Sequence, residues 1–110
     1  MTFAKTPPPP YYVVIFTNQR RDIDNGYADM ASMMEELAAT MPGYLGFEAA
    51  RDENGFGFAL SYWESEEAIK SWKRNAEHLI AQQRGRAEWY EDYTVRVAKV
   101  ERAYSMKTSR

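Results

Sequence analysis

The chain contains no cysteine and only one histidine, His78, among its 110 residues. Disulfide bonds and thiolate metal sites are therefore excluded, and one histidine with scattered carboxylates is too little for a metal centre. The sequence also lacks a glycine-rich phosphate loop and any Ser-His-Asp arrangement. We therefore expect no metal centre.

Excess charge and long apolar runs are equally scarce. The net charge is -2 and the pI is about 5.4, so the chain lacks the basic excess of proteins that bind nucleic acid or anionic membranes. The longest apolar run, Tyr11–Phe16, is far shorter than a membrane span or the core of a signal peptide. These features predict a cytoplasmic protein that binds neither nucleic acid nor membranes.

The chain is long enough for one domain. A chain of 110 residues can build a single two-layer core, and an aromatic content of 15% is high for that size. Because so small an interior cannot bury every ring, we expect some rings to line a ligand cavity or a subunit interface. Residues 1–10, which end in four prolines, form a stiff lead-in, residues 11–104 form the domain, and residues 105–110 form a tail.

Hydrophobic periodicity divides the domain into six elements. Alternation with period 2 marks the strands, apolar steps of three or four residues mark the helices, and turn residues separate them. The predicted order is strand 11–18, helix 27–40, strand 44–51, strand 56–63, helix 65–85 and strand 93–104. This is the split βαβ pattern of a ferredoxin-like α+β fold, which has a four-stranded antiparallel sheet with both helices on one face.

Short stretches of the sequence predict three further details of this fold. The dipeptide Asn54-Gly55 predicts a tight hairpin, so the second and third strands should pair antiparallel. Ser65 occupies the position expected for the N-cap of the second helix. Between Val97 and Val100 the apolar residues of the last strand change parity, which predicts a bulge or burial on both faces.

Both faces of the first strand are apolar. Tyr11, Val13 and Ile15 share one face, while Tyr12 and Val14 share the other. The helices can cover only one face of the sheet, and an exposed apolar face of this size is not stable in a soluble monomer. The same face of a second subunit is the simplest cover, so we expect a homodimer that packs sheet against sheet.

Four stretches of the chain carry a resemblance to a known family. They are 42–48 (PGYLGFE), 61–68 (SYWESEEA) with Trp72, 75–78 (NAEH) and 85–90 (GRAEWY). In these stretches, and over residues 11–104 as a whole, the chain resembles the antibiotic biosynthesis monooxygenase domain of the dimeric α+β barrel superfamily. The resemblance implies a dimeric α+β barrel with a pocket between sheet and helices, reached from the first strand and the second helix.

Three residues are candidates for catalysis. Asn18, at the end of the first strand, matches an asparagine that family oxygenases and haem degraders use in the pocket, although a strand-end turn residue is an equal alternative. Trp72 matches the pocket tryptophan of the second helix, although a tryptophan in a helix stripe also suits the core. His78 is the only candidate general base, because histidine ordinarily titrates near neutral pH.

The position of His78 depends on whether the second helix is continuous. On a continuous helix Ile69 and Trp72 lie in one apolar stripe, and at 100° per residue His78 projects away from that stripe into water. A break near Asn75 would reset the helical phase and turn His78 inward. Haem-degrading relatives carry their axial histidine ten residues after the tryptophan, where this chain has Gln82, so haem ligation by His78 requires a shifted or broken helix.

Trp63, Met34 and Phe16 are the side chains expected to contact a substrate. Met34 belongs to a methionine-rich helix stripe, which suits either gap filling in a core or the adaptable wall of an apolar pocket. Phe16 and Trp63 belong to the first and third strands, both of which are apolar on both faces.

The resemblance implies a cofactor-independent monooxygenase that uses O₂ and a small aromatic substrate. In such an enzyme an electron-rich phenol or quinol is deprotonated and reacts directly with O₂, while hydrogen bonds from Asn18, Trp63 or Trp72 hold the anion. Two alternatives remain open at this point. One is a haem-binding or haem-degrading protein, and the other is a non-catalytic dimer that binds a small molecule.

Overall fold

The computed structural model describes residues 3–21, 27–82 and 89–107, and within these it describes only the backbone of 27–30 and 78–82. The elements are β1 (Tyr11–Arg20), α1 (Tyr27–Thr40), β2 (Tyr44–Arg51), β3 (Phe56–Trp63), α2 (Glu66–Gln82) and β4 (Tyr90–Val100). Their order confirms the predicted βαββαβ pattern of a ferredoxin-like α+β fold. Within the described residues, neither helix is long and apolar enough to cross a membrane.

The four strands form one antiparallel sheet in the order β2-β3-β1-β4. β1 and β3 are the central strands, which agrees with their apolar pattern on both faces. Tyr12 lies opposite Trp63 at one end of this central pair, and Asn18 lies opposite Gly57 at the other end. On its second edge β1 pairs with β4, and there Asn18 lies opposite Tyr93.

β4 differs from its predicted bounds at both ends. It begins at Tyr90 and ends at Val100, so the predicted end at Tyr104 is wrong. Val100 pairs with Tyr11, the first residue of β1, and the ladder between the two strands stops there. Tyr90 pairs with Arg20, so β1 is also two residues longer than predicted.

The register between β1 and β4 shifts at a different place from the one predicted. The shift lies between Gln19 and Arg20, whereas the sequence predicted a bulge or two-sided burial near Val97 and Val100. Pairing in that region is regular, with Val97 opposite Val14. The parity change therefore places Val97 and Val100 on opposite faces of a regular strand.

The hairpin between β2 and β3 is held by one aspartate. Asp52 Oδ1 accepts the backbone N–H of Asn54 at 2.9 Å and that of Phe56 at 3.0 Å. Gly55 has a φ of +89°, a left-handed conformation that glycine adopts without a steric penalty. The antiparallel pairing predicted from Asn54-Gly55 is confirmed.

Ser65 caps α2, as predicted. Its hydroxyl oxygen accepts the N–H of Ala68 at 3.1 Å. The helix then continues without a break from Glu66 to Gln82, and its predicted end near Gly85 lies outside the described residues. Asn75 does not start a new helix, because its side-chain amide donates to the carbonyl of Ser71, one turn earlier in α2, at 2.9 Å.

The core lies between the two helices and the β2–β3 side of the sheet. Ala38, Trp63 and Ile69 are buried at its centre. The partly buried residues that pack around them are Tyr12, Val14, Met41, Tyr44, Ala68 and Trp72. Because α1 contacts β2 and α2 contacts β3, the helices cover that half of the sheet more completely than the half formed by β1 and β4.

Candidate functional site

The two faces of the sheet can be assigned from the core. Val14 packs against the core, so Phe16 and Asn18, two and four residues further along β1, share its side of the sheet, which we call the helix side. Val13 and Ile15 lie on the other side, which we call the open face. The predicted pocket residues Phe16 and Asn18 are thus both on the side that the helices cover in part.

Asn18 is a buried polar residue with an unused acceptor. The side chain is only 2% exposed, and its Nδ2 donates to the backbone carbonyl of Phe16 at 3.2 Å. Within the described part of the chain, Oδ1 accepts no hydrogen bond. A buried acceptor without a donor costs about 1–3 kcal/mol. Such a cost is offset when a ligand or a bound water supplies the missing donor.

Three aromatic rings lie next to Asn18. The ring of Phe16 is 5.2 Å from that of Tyr90 and 5.3 Å from that of Tyr93, and the two tyrosine rings are 6.0 Å apart. Tyr93 is also the direct cross-strand neighbour of Asn18. We call Phe16, Tyr90 and Tyr93 the Phe16 cluster. Its tilted and edge-to-face contacts are the arrangement that aromatic rings prefer, and a planar aromatic ligand can join it.

Sequence reasoning missed the two tyrosines of this cluster as site residues. The predicted last strand began at Tyr93, and the structure instead makes Tyr90 the first residue of β4. Tyr90 and Tyr93 are separated from Phe16 by more than seventy residues of chain. Only the register between β1 and β4 brings them together, and a single sequence does not reveal that register.

Two tryptophans form a second aromatic group. Trp63 is completely buried, and its Nε1–H donates to Oγ of Ser61 at 2.9 Å. The half-buried ring of Trp72 stacks on it with a centroid distance of 5.7 Å. Because the Trp63 ring is inaccessible and its only donor is already used, the geometry argues against the predicted direct contact between Trp63 and a substrate.

The predicted site residues fall into two separate groups. Tyr12, the cross-strand neighbour of Trp63, and Asn18 are six residues apart on β1, which corresponds to about 20 Å. Trp72 is six residues, or about 9 Å, along α2 from its first residue, Glu66. Phe16 and Asn18 therefore form one pair, and Trp63 and Trp72 form another. The two pairs lie toward opposite ends of the helix side of the sheet.

An apolar strip of β4 lies on the helix side between these two groups. Val95 is paired with Phe16 and Val97 with Val14, and both valines are about half exposed. This exposure follows from the position of the helices, which contact β2 and β3. The strip forms an apolar floor beside Asn18 on which the ring of a ligand can lie.

Met34 and His78 complete the set of predicted site residues. Met34 is half-buried on α1, a placement compatible with either a core or a pocket-wall role. His78 is part of the continuous α2, and its side chain lies outside the described residues. Among the residues whose side chains are described, no group of three His, Asp or Glu could hold a metal ion.

The comparisons with known proteins agree with this fold. The sequence profile of the antibiotic biosynthesis monooxygenase family matches residues 10–84. YqjZ, an uncharacterized protein of Bacillus subtilis (strain 168), is 50% identical over 99 residues, which span 90% of this chain and 87% of YqjZ.

Two solved structures also resemble the chain. SnoaB, a cofactor-independent oxygenase from Streptomyces nogalater, aligns with a TM-score of 0.63 at 9% identity over 87% of this chain and 96% of SnoaB. A dimeric ferredoxin-like protein of unknown function from Thermobifida fusca aligns with a TM-score of 0.63 at 12% identity over 90% of this chain and 100% of its own. At such low identity these similarities support the fold alone. The family profile, however, covers well over half of the chain, and the chain therefore belongs to the antibiotic biosynthesis monooxygenase family.

Proposed function

We propose that this protein is a cofactor-independent monooxygenase that oxidises an aromatic phenol or quinol with O₂. The observation that carries the proposal is the buried Oδ1 of Asn18, which has no donor among the described residues and lies beside the Phe16 cluster. A planar aromatic ligand with a hydroxyl group fits both features. Family membership supports the reaction class, and SnoaB, which shares the fold, is described as a cofactor-independent oxygenase.

In the proposed reaction the substrate supplies the electrons. Oδ1 of Asn18 accepts a hydrogen bond from the substrate hydroxyl, and the second proton on Nδ2 is available for the oxygen once it becomes an anion. The electron-rich anion then reduces O₂ directly. One oxygen atom replaces a ring hydrogen and becomes a carbonyl oxygen. The hydroxyl hydrogen, the ring hydrogen and the second oxygen atom leave as water, so that a phenol becomes a quinone.

The remaining candidate residues have supporting roles in this proposal. Phe16 contacts the ring of the substrate, Met34 contributes to the wall on the helix layer, and Trp72 borders the site from the end occupied by Trp63. Trp63 acts only by holding Trp72 in place. Because α2 is continuous, the condition under which the sequence placed His78 in the pocket is not met, so we assign the proton of the substrate to solvent water.

We also propose that two copies of the chain form a homodimer through the open face. Ile15 lies opposite Leu60 on this face, and toward the far end of the same strands Phe56 and Phe58 are 43% and 45% exposed. Such an apolar face is characteristic of an interaction surface. The protein from Thermobifida fusca that shares the fold is described as dimeric.

Oxygen uptake with a panel of electron-rich phenols and hydroquinones tests the proposed reaction. We expect turnover by the purified protein without added metal, flavin or haem, and a loss of roughly 10²-fold or more in Asn18→Ala. Thr17→Ser is the matched control, because its side chain lies on the opposite face of β1. If Asn18→Ala retains full turnover, or if no phenol is consumed, the proposal is wrong.

A titration with haemin separates the proposed oxygenase from the haem-handling alternative. A Soret band that saturates at one haem per chain would favour the alternative and contradict the proposal. A non-catalytic binder would instead show a change in tryptophan fluorescence with phenols but no oxygen uptake. The proposed oxygenase should show both the fluorescence change and the uptake, without a saturable Soret band.

A further inference from the structure

The proline-rich N-terminal segment lies against the open face of the sheet. We call residues 3–10 the strap. The backbone N–H of Ala4 donates to Oε2 of Glu48 at 2.8 Å. The other carboxylate oxygen of Glu48 accepts the hydroxyl of Tyr62 at 2.7 Å. One carboxylate on β2 therefore ties the strap to a tyrosine of β3.

Close packing also fixes the position of the strap. A Cβ atom added to Gly46 would lie 2.8 Å from the Cβ of Ala4, a separation that real side chains do not tolerate. Further along, the hydroxyl of Thr6 donates to that of Tyr11 at 3.0 Å. The strap can therefore pack against β2 in this position only if residue 46 has no side chain.

The strap divides the open face into a covered end and a bare end. At the covered end, Tyr11 and Val13 are buried, and the ring of Tyr11 meets that of Tyr62 edge to face at 5.9 Å. At the other end, Phe56 and Phe58 remain exposed. The strap therefore lies at the end of the apolar face that carries Tyr11 and leaves the end that carries Phe56 and Phe58 to another cover.

The strap and the chain beyond β4 also carry exposed apolar groups of their own. Phe3 in the strap is 88% exposed, and Tyr104, beyond the end of β4, is 71% exposed. Both line the same groove of about 540 Å³, together with Tyr11 and Tyr62. Phe3 and Tyr104 thus both line one groove on the open face, and they extend the apolar surface of that face.

The area of the sheet explains why a dimer would need this extension. Four strands spaced about 4.8 Å apart and on average about nine residues long present a face of roughly 600 Å². A standard stable interface buries roughly 800 Å² on each partner. The bare sheet is therefore too small, and the strap with residues 101–106 lies where the missing area must be supplied.

We infer that the strap and the segment after β4 form part of the interface with a second copy of this chain, and that Phe3 and Tyr104 contact the partner. This inference rests on the proposed homodimer. The sheet centres of the two copies pack against each other, and the strap and the C-terminal segment of each copy enlarge the contact at its edge. A copy whose strap is displaced has a smaller surface to offer and dimerises more weakly.

The substitution Gly46→Ala tests this inference without removing any residue. The new methyl group should push Ala4, and with it the strap, away from β2. We expect the dimer dissociation constant, measured by sedimentation velocity over a dilution series, to rise at least tenfold. In the double variant Ala4→Gly/Gly46→Ala the clash is relieved, and the dissociation constant should return to that of the wild type. Phe3→Ser, at a highly exposed position where folding should be unaffected, should also weaken the dimer.

The outcomes separate the strap from the dimer itself. If the wild type is a monomer at all accessible concentrations, the proposed homodimer is wrong and this inference falls with it. If the wild type is a dimer but Gly46→Ala and Phe3→Ser associate as tightly, the homodimer stands and the strap inference is overturned. A Gly46→Ala defect that Ala4→Gly does not repair would also overturn it, since the effect would then come from β2.

Discussion

The indole rings of Trp63 and Trp72 stack with their centroids 5.7 Å apart and their planes at 22°. They differ in burial, because Trp63 is fully enclosed whereas Trp72 is half-buried at the margin of the core. The N–H of Trp63 is also committed to the hydroxyl of Ser61. One ring therefore stabilises the fold, and the other can respond to a ligand while its neighbour holds it in position.

This relationship predicts that the two tryptophans tolerate the same substitution unequally. Trp63→Phe removes buried volume and leaves the Ser61 hydroxyl without its donor, so the free energy of unfolding should fall by about 2–4 kcal/mol. Trp72→Phe keeps an aromatic ring at a half-buried position and should cost less than about 1.5 kcal/mol. Urea denaturation followed by circular dichroism measures both. Equal losses would show that Trp72 belongs to the core as fully as Trp63.

If the open face is the dimer interface, Phe58→Ser should disrupt the dimer and Val95→Ser should not. Phe58 is exposed on the open face, so Phe58→Ser should shift the proposed dimer toward monomer at micromolar concentration. Val95→Ser is the matched control, because Val95 is similarly exposed but lies on the helix side. Light scattering on both variants reports their mass. A charged residue in place of Val13 would be a less suitable test. Val13 is already buried within one chain, so a charge there would destabilise the chain itself.

We predict that the protein loses stability at alkaline pH because of Tyr62. Burial, the hydrogen bond to Glu48 and the charge of that carboxylate raise the pKa of the Tyr62 phenol well above its ordinary value of 10.0. Above pH 10 the unfolded chain loses this proton while the folded chain keeps it, so stability that is complete below pH 10 declines as the pH rises toward the pKa of the folded state. The free energy of unfolding, measured in urea from about pH 8 to 11, should therefore decrease above pH 10.

Two variants separate Tyr62 from other causes of alkaline instability. Tyr62→Phe has no proton to lose at this position, so its stability should decline less steeply above pH 10. Glu48→Gln keeps the phenol but removes the negative charge, so its decline should be intermediate. If the slopes of all three proteins are the same, Tyr62 does not contribute to the pH dependence.

Much of the fold could be predicted because its determinants are local. The hydroxyl of Ser65 accepts the backbone N–H of Ala68, three residues ahead, and the Asn54-Gly55 turn is shaped locally by Asp52 and by a glycine in the left-handed region. The order of strands and helices followed from such signals and from periodicity. The end of β4 did not, because it depends on where β1 begins and so where pairing stops.

The candidate site was less predictable because its contacts are not local. Asn18 was identified through the family resemblance, but its neighbour Tyr93 depends on the register between β1 and β4. Trp63 and Ser61 lie on the same side of β3, but both faces of the sheet are apolar, so the sequence did not reveal which face the helices bury. The strap has no periodicity, and its contact with Glu48 arises from residues far apart in the chain.

His78 is the only histidine in the chain. Ile69 and Ala76 are buried on the inner side of the continuous α2. His78 is nine residues after Ile69, which at 100° per residue is half a turn away in helical phase. We therefore expect that His78 takes no part in the reaction.

The activity of His78→Ala then distinguishes a solvated histidine from a catalytic base. A solvated His78 can be replaced by alanine at a cost within about 0.5 kcal/mol of stability and without loss of oxygen uptake. Arg74→Ala, one turn earlier in α2 at an exposed position, is the matched control and should behave in the same way. A pocket histidine would instead act as the general base, and its loss would lower oxygen uptake by roughly 10²-fold or more. In that case the substrate proton goes to His78 rather than to water, although the role of Asn18 in holding the substrate oxygen is unchanged.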